Sequence, residues 1–596
     1  MPWALFNRPS IQLGALKSYL RDHAPEIDVT ACHPYLSAAK EVGLVAYRII
    51  SEDLWAGEAL YCALLFPERR KQARRIFYRS LGKKNGASLP DFDLLCEKLD
   101  LHLDNWLHVY DFSATSLVGF SVCFGQLPAT LLAARRLKKR YPRLSVVLGG
   151  STCVPEIGFS LLQVFQEIDY VIAGEGEQPL LRLCKHLRGK AGDLGPAVLT
   201  RKKNPARRNH QLAVAPSSEV HDLNTLPVPE YADYFAELKH SGLGFIPELP
   251  LEFSRGCWWN KCSFCNLNLQ WCGYRYKKSE RMQQEVELLV NKYHCLDLAF
   301  TDNALPSAEA DRFFTAMQSS KKDTRFFAEI RALNKPDRYA GYRLGGLDSV
   351  QIGIEAFSNS LLRRMNKGVT VMDNLAAMKY CAEAGIRLDG NLILEFPGST
   401  QAEVEETLRV LEIALPYRPL TGAVFFLGHG SPVWSDPGKY GIRAIRHHPF
   451  NRQLYPGSIL ARLDLLIKQG TGDRVRQKTL WRPVQQKIRE WKTFHDNRTE
   501  DLPALSYREG DDFIIIRQVC PGQHTKNHRL SGTSGKIYLA CRNPVSIKSL
   551  LRAFNSVTEK TLTVFLDELE KKKLIFRDGD RCLALAVHRS ARRFSA

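Results

Sequence analysis

The chain has 596 residues, 44% of them apolar and 24% charged, enough for about four domains with buried cores at roughly 150 residues each. That composition excludes a collagen-like, a wholly disordered and a small disulfide-stapled protein, and no run reaches the roughly 18 consecutive apolar residues of a membrane helix. Lys and Arg number 83 against 63 Asp and Glu, a formal charge of +20, which suits a phosphate-bearing cofactor, an acidic peptide or nucleic acid as well as a plain solvated surface. The basic residues are dispersed, with short clusters at Arg69-Arg70-Lys71, 135–140, 201–203 and Arg592-Arg593. The start, Met1-Pro2-Trp3-Ala4-Leu5-Phe6, has no basic segment ahead of an apolar run, so a soluble, cytoplasmic protein is expected. Fifteen scattered cysteines, an odd count, argue against a disulfide framework.

In chain order, 2–6 is a short apolar run read as a first strand, and Ser10 is placed to cap a helix over 11–21. Residues 40–105 are helical in pattern and rich in aromatics, and read as an insertion. Runs at 116–124, 144–148 and 170–173 read as buried strands, with helical spacing at 130–139 and 179–187. Strands alternating with helices predict a doubly wound parallel sheet over 1–200. Residues 201–247 read as a linker.

From 248 to 430 a strand–helix unit repeats about six times. Strands are predicted at 250–254, 297–301, 326–330, 349–354, 387–394 and 422–427, with helices at 283–293, 308–318, 373–384 and 401–414. Six such units make an α/β partial (β/α)6 barrel or a large open sheet, with reactive residues at the carboxyl ends of the strands. Residues 431–500 read as a helical and irregular extension. The last segment, 501–596, has two helices and a hairpin around Asp578-Gly579-Asp580, the pattern of a small winged-helix-like domain.

The decisive segment is Ser254-Arg255-Gly256-Cys257-Trp258-Trp259-Asn260-Lys261-Cys262-Ser263-Phe264-Cys265. Its three cysteines, C-x4-C-x2-C, follow the first strand of the repeating unit. Three thiolates on one tight loop can hold three irons of a [4Fe–4S] cluster and leave the fourth open to an external ligand; Cys272 would instead close the site. Zinc completed by Cys272 or a distant His is the other metal reading, and a second C-x2-C pair of the zinc-ribbon kind is missing.

This loop resembles the cluster loop of the radical S-adenosylmethionine (SAM) enzymes, with one extra residue in the first spacing. Phe300-Thr301-Asp302-Asn303, Ala328-Glu329-Ile330-Arg331, Gln351-Ile352-Gly353-Ile354-Glu355 with Met365-Asn366-Lys367-Gly368, and 391–398 resemble that family's later strand motifs. The resemblance implies that Cys257, Cys262 and Cys265 hold the cluster and that the open iron chelates SAM. It places Phe264 near the adenine, Asp302 or Glu355 on the ammonium or ribose, and Arg331 on the carboxylate. An electron donor such as flavodoxin or ferredoxin is implied.

Gly149-Gly150-Ser151 and Gly174-Glu175-Gly176-Glu177 end two parallel strands, where glycines let backbone approach a bulky ligand. With Ser121 and Gln126 they resemble the Rossmann-like cobalamin-binding domain that precedes many radical SAM domains. That implies corrin contacts from Ser121, Gln126, Gly149, Gly150, Ser151, Gly174, Glu175 and Gly176. The D-x-H-x-x-G pattern is absent after the first strand, and Asp100-Leu101-His102 matches it only in part, so no histidine on cobalt is expected.

Pro2-Trp3, 9–16, Gly57-Glu58 with Leu64-Leu65-Phe66, 255–259 and His429-Gly430-Ser431-Pro432 resemble enzymes that mature ribosomally made peptides. The implied function is cobalamin-dependent radical SAM methylation of an unactivated carbon, with an acidic leader peptide suiting the basic chain. Cyclisation, ring contraction or oxidation with the same cofactors, and a zinc-containing nucleic-acid-binding module, are the alternatives.

Overall fold

The computed structural model describes residues 1–82, 90–189, 192–202, 218–271, 273–333, 335–500, 502–522 and 524–589. Cys272, Lys203, Arg592 and Arg593 lie outside the described residues. Among those described, no helix is long and apolar enough to cross a membrane.

The helix Ile11–His23 begins at Ser10, whose hydroxyl accepts from the Leu13 N–H, as the sequence suggested. The run 2–6 forms turns, not a strand. Trp3 is nonetheless buried, and a Cβ on Gly57 would stand 2.3 Å from its ring. A short apolar run can thus be buried by packing alone, without a strand partner. Five helices follow, Pro34–Val42, Leu44–Ser51, Leu54–Leu65, Arg70–Leu81 and Phe92–Val109. They precede the first strand, so the helical block is not inserted within the sheet.

The amino-terminal sheet has order β1 (Leu117–Ser121), β2 (Ser145–Gly149), β3 (Tyr170–Ile172), β4 (Val198–Leu199), the first three parallel and β4 antiparallel. The described part of the segment read as a linker, from 218 on, is built into the fold. Its helix Ala232–Ser241 and Glu230 anchor Lys17 through Asp233 Oδ2 at 2.6 Å and Glu230 Oε1 at 3.6 Å.

The second sheet is parallel: β5 (Leu249–Leu251), then β8 (Asp297–Phe300), β9 (Arg325–Ile330), β10 (Leu347–Ile352) and β11 (Arg387–Asp389). A short antiparallel pair, β6 (Ser254–Arg255) and β7 (Arg275–Tyr276), brackets the cysteine loop. Past β11 the strand continues as β12 (Asn391–Leu394), which pairs in parallel with β13 (Thr421–Val424). A bridge from Glu355 to Leu392 joins the two parts. Six parallel strands therefore curve around one core that includes Phe253, Phe300, Phe313 and Phe326.

Residues 431–500 are more ordered than the sequence suggests. Leu427–Gly428, Ala444–His447 and Ile467–Thr471 form an antiparallel sheet, and Arg474–Asp496 is one helix. In the last segment the strands Leu505–Glu509, Phe513–Val519 and Thr525–Ser531 precede a helix–strand–helix–helix–hairpin order, Thr533–Ala540 to Arg581–Ala584.

Candidate functional site

The cysteine loop leaves β6 through Gly256, at φ +84°, where a Cβ would stand 2.6 Å from the Gly273 carbonyl oxygen; only glycine fits both constraints. The loop is then clamped from two sides. Ser263 N–H donates to Met365 O at 2.9 Å and Trp259 Nε1 to Asn366 O at 2.8 Å. Val433 N–H donates to Ser263 O at 2.9 Å, and Asn266 Nδ2 to His429 O at 3.2 Å. Cys257, Cys262 and Cys265 are half-buried on this loop. Burial pushes the Cys265 thiol up to about 11, and pushes Cys262 up while Lys367 and Arg331 pull it back down. The two cations therefore ease formation of a thiolate ligand. Among the described residues, no three His, Cys, Asp or Glu side chains surround a single ion position.

Charged groups converge on these thiols from the strand ends. The Arg331 guanidinium lies 4.6 Å from the Trp259 ring and 5.2 Å from Trp258, donates to Lys367 O and reaches Cys262. Lys367 Nζ is 3.1 Å from Glu355 Oε1. Burial, then the neighbouring Glu355, raises Glu329 to about 7. Glu355 (φ +61°), Asn366 (+52°) and Asn260 (+43°) hold left-handed backbone conformations, the strain that clusters at functional sites. Lys367 and Glu329 were not singled out from sequence, although both stand inside the strand motifs that were.

Phe264 packs partly buried against the barrel core. Asp302, expected on SAM, is buried and used internally: it accepts from Phe253 N–H at 3.1 Å and from the Ser254 hydroxyl. Burial raises it to about 7. It fastens the end of β8 to β6. Tyr274 is likewise occupied, donating to Ala304 O at 3.2 Å.

Ser121, Gly149, Gly150, Ser151 and Gly174 lie at the carboxyl ends of β1–β3. At Gly150 (φ +95°) a Cβ would stand 2.7 Å from Val122 N, so this turn folds tightly onto β1; at Gly149 the nearest atom would be 3.8 Å away, leaving room. These small residues fit a bulky group lying across the strand ends. Three others are spoken for. Gln126 accepts from Cys123 N–H at 3.0 Å and donates to Met1 O at 2.7 Å. A Cβ on Gly176 would stand 3.0 Å from Leu16. Glu175 is bound by Arg255 Nη1 at 2.7 Å, by Arg275 and by Val220 N–H at 3.0 Å. The ligand-facing role expected for Gln126 and Glu175 gives way to internal hydrogen bonding.

Arg255 also holds Glu177 at 2.6 Å and Glu252 at 2.9 Å. It stands two residues before Cys257, so the β3 turn and the cysteine loop face one another across this ion pair. A cavity of about 530 Å³ opens at the ends of β12 and β13 and reaches Phe124, Leu54 and Trp55 of the amino-terminal region. Glu395, at φ +59°, lines it; Gln485 Nε2 donates to its Oε1 at 3.2 Å, and burial raises its carboxyl. A second cavity, of about 650 Å³, lies at the opposite, amino ends of β1 and β2.

Residues 251–411 match the Radical SAM superfamily. The chain is 28% identical over 301 residues to an uncharacterized methyltransferase of Pyrococcus horikoshii, covering 49% of this chain and 63% of that protein. It is 24% identical over 311 residues to the anaerobic magnesium-protoporphyrin IX monomethyl ester cyclase of Cereibacter sphaeroides, covering 48% of this chain and 47% of that protein. The chain thus spans about half to under two thirds of the length of these relatives. In fold it is similar to the radical SAM methyltransferase TsrM of Kitasatospora setae, solved with cobalamin and a [4Fe–4S] cluster, at TM-score 0.50 and 14% identity over 72% of this chain and 87% of that one.

Proposed function

We propose that this chain is a cobalamin-dependent radical SAM methyltransferase acting on an unactivated carbon of a ribosomally made peptide. The observation that carries the reading is the clamped three-thiol loop, set opposite the small-residue ends of β1–β3 and tied to them by Arg255. The stretch 251–411 matches the Radical SAM superfamily, and the cysteine loop lies inside it, which favours this reading over a zinc-binding nucleic-acid module.

In this reading Cys257, Cys262 and Cys265 hold a [4Fe–4S] cluster and the ends of β1–β3 hold cobalamin. Bound there, the cluster supplies one-electron cleavage of SAM and the corrin supplies methyl transfer. The chain's own part is orientation and shielding. Arg331, fixed between two indoles, presents a cation for a carboxylate. Glu355, held by Lys367, presents an acceptor for an ammonium or hydroxyl. Phe264 offers an apolar face for the adenine, and Trp258 and Trp259 cover the loop. Asp302 and Glu175 act at one remove, by fixing β6. An external flavodoxin or ferredoxin would supply electrons. The helix–strand–helix–helix–hairpin segment at the end of the chain reads as a winged helix that would take an acidic leader.

The test is anaerobic turnover with SAM, hydroxocobalamin, a reductant and a leader-bearing peptide, read by product mass. One added methyl per event is expected. A product changed without gaining a methyl would favour the second reading, a cyclisation or oxidation, which the similarity to the Cereibacter cyclase supports.

A further inference from the structure

The 530 Å³ cavity beside the strand ends has a composition that points to its occupant. Phe124, Val424 and Phe426 line it and are 42%, 48% and 49% exposed, although large apolar side chains gathered in one concavity are normally covered. Trp55 forms another wall, with His448 stacked on it at 4.4 Å and 14° between planes. Burial and the nearby Arg474 and Arg452 depress the His448 imidazole to about 4, so this wall is an uncharged pair of rings.

The charged groups at the cavity differ in how far they are committed. Asp473 accepts from Gly398 N–H at 3.2 Å and from Gln477 Nε2 at 2.6 Å, and Lys468 is paired with Asp464. Glu395 is held by Gln485. Arg474 stands exposed at the rim, where its charge also acts on the Glu395 carboxyl, and no salt bridge among the described residues closes onto it.

We propose that this cavity is the substrate pocket and that it takes a flat apolar group bearing a carboxylate, the rings lying against Trp55 and Phe426 and the carboxylate meeting Arg474. Aromatic walls favour a planar π system over a branched aliphatic one, and an open guanidinium selects a carboxylate. The volume suits one small molecule or one side chain with its immediate neighbours. This proposal rests on the enzymatic reading above and adds the substrate class.

The test uses the full chain, reconstituted anaerobically, with 2-naphthoate as probe in isothermal titration calorimetry. Saturable binding at one site per chain is expected, weakened about tenfold or more by Trp55→Ala or Phe426→Ala. Arg474→Gln should weaken naphthoate about tenfold and leave the neutral 2-naphthalenemethanol unchanged. Unchanged melting temperatures would show that the variants fold. No saturable binding, variants that bind as well as the parent, or displacement of naphthoate by hydroxocobalamin would overturn the proposal; the last would give the cavity to the corrin. Acetyl-phenylalanine binding without its amide would assign a free carboxyl end, as proposed, while equal binding of both would overturn the Arg474 contact. Formation of 5′-deoxyadenosine from SAM, followed in the same samples, tests the enzymatic reading separately. Its presence without naphthoate binding would sink the pocket alone, and its absence with binding would sink the radical chemistry alone.

Discussion

Arg255 Nη1 lies 2.7 Å from Glu175 Oε2, with side chains 4% and 0% exposed and a separation of 80 positions in the sequence. Glu175 belongs to the turn after β3 and Arg255 to the strand that leads into Cys257. The pair, extended by Glu177, Glu252 and Arg275, fixes the turn that ends the amino-terminal sheet against the loop that carries the cysteines.

Removing the central cation strands several buried carboxylates. Arg255→Ala should destabilise the protein by about 3–5 kcal/mol, because unpairing a buried ion costs more than the pair itself contributes. Thermal unfolding measures it. Iron uptake should fall with stability, and Glu175→Gln, which keeps a neutral acceptor, should have the smaller effect on both. Equal stability of Arg255→Ala and the parent would deny the pair its structural role.

Gly256 is the turn on which the cysteine loop depends. Gly256→Ala combines a left-handed φ with a clash against Gly273 O, and should cost about 1–3 kcal/mol and reduce iron bound per chain. Gly43→Ala provides the comparison: it also has positive φ but open space around it, and its iron content should match the parent's.

Asp302 separates structural from ligand roles. With its carboxylate used by Phe253 and Ser254, Asp302→Asn should lower the melting temperature while leaving SAM affinity within about twofold, a change under about 0.5 kcal/mol. Equilibrium dialysis of the cluster-loaded protein measures the affinity. A loss of SAM binding at unchanged stability would restore Asp302 to the ligand shell.

Cys257, Cys262 and Cys265 were legible as a candidate cluster site because a ligand set on one loop shows as residue type at short, fixed intervals. The barrel strands were legible as apolar runs between helical segments. What stayed hidden depends on partners far away in sequence. Nothing near Glu175 announces Arg255, and nothing near Gln126 announces the Met1 carbonyl. Strand Thr525–Ser531 carries polar, mostly exposed residues and gives no hydrophobic alternation to read. Trp3 illustrates the converse, an apolar run buried by a helix rather than by a neighbouring strand. Lys367 was visible within its motif, but its pairing with Glu355 needs the turn between them.

Glu58 gives the fold a pH dependence. Burial raises its carboxyl from 4.5 to about 7, and Tyr455, donating at 3.4 Å, offsets only part of this. Between those values the folded state binds more protons than the unfolded state, so stability falls as pH rises. The contribution is full below about 4.5 and lost above about 7. Glu58→Gln should therefore be more stable than the parent at pH 8 by about 3 kcal/mol and little different at pH 4.5. Melting curves at the two pH values decide it; a larger gain at the lower pH would contradict the sign.

The most direct measurement is the iron, sulfide, cobalt and zinc content of the protein purified anaerobically and reconstituted with hydroxocobalamin. About four irons and one cobalamin per chain are predicted, with iron falling sharply in Cys257→Ala, Cys262→Ala and Cys265→Ala while cobalamin remains. Zinc in place of iron, or full iron loading with no cobalamin uptake, would contradict the pairing of the two cofactors on which the proposed methyl transfer depends.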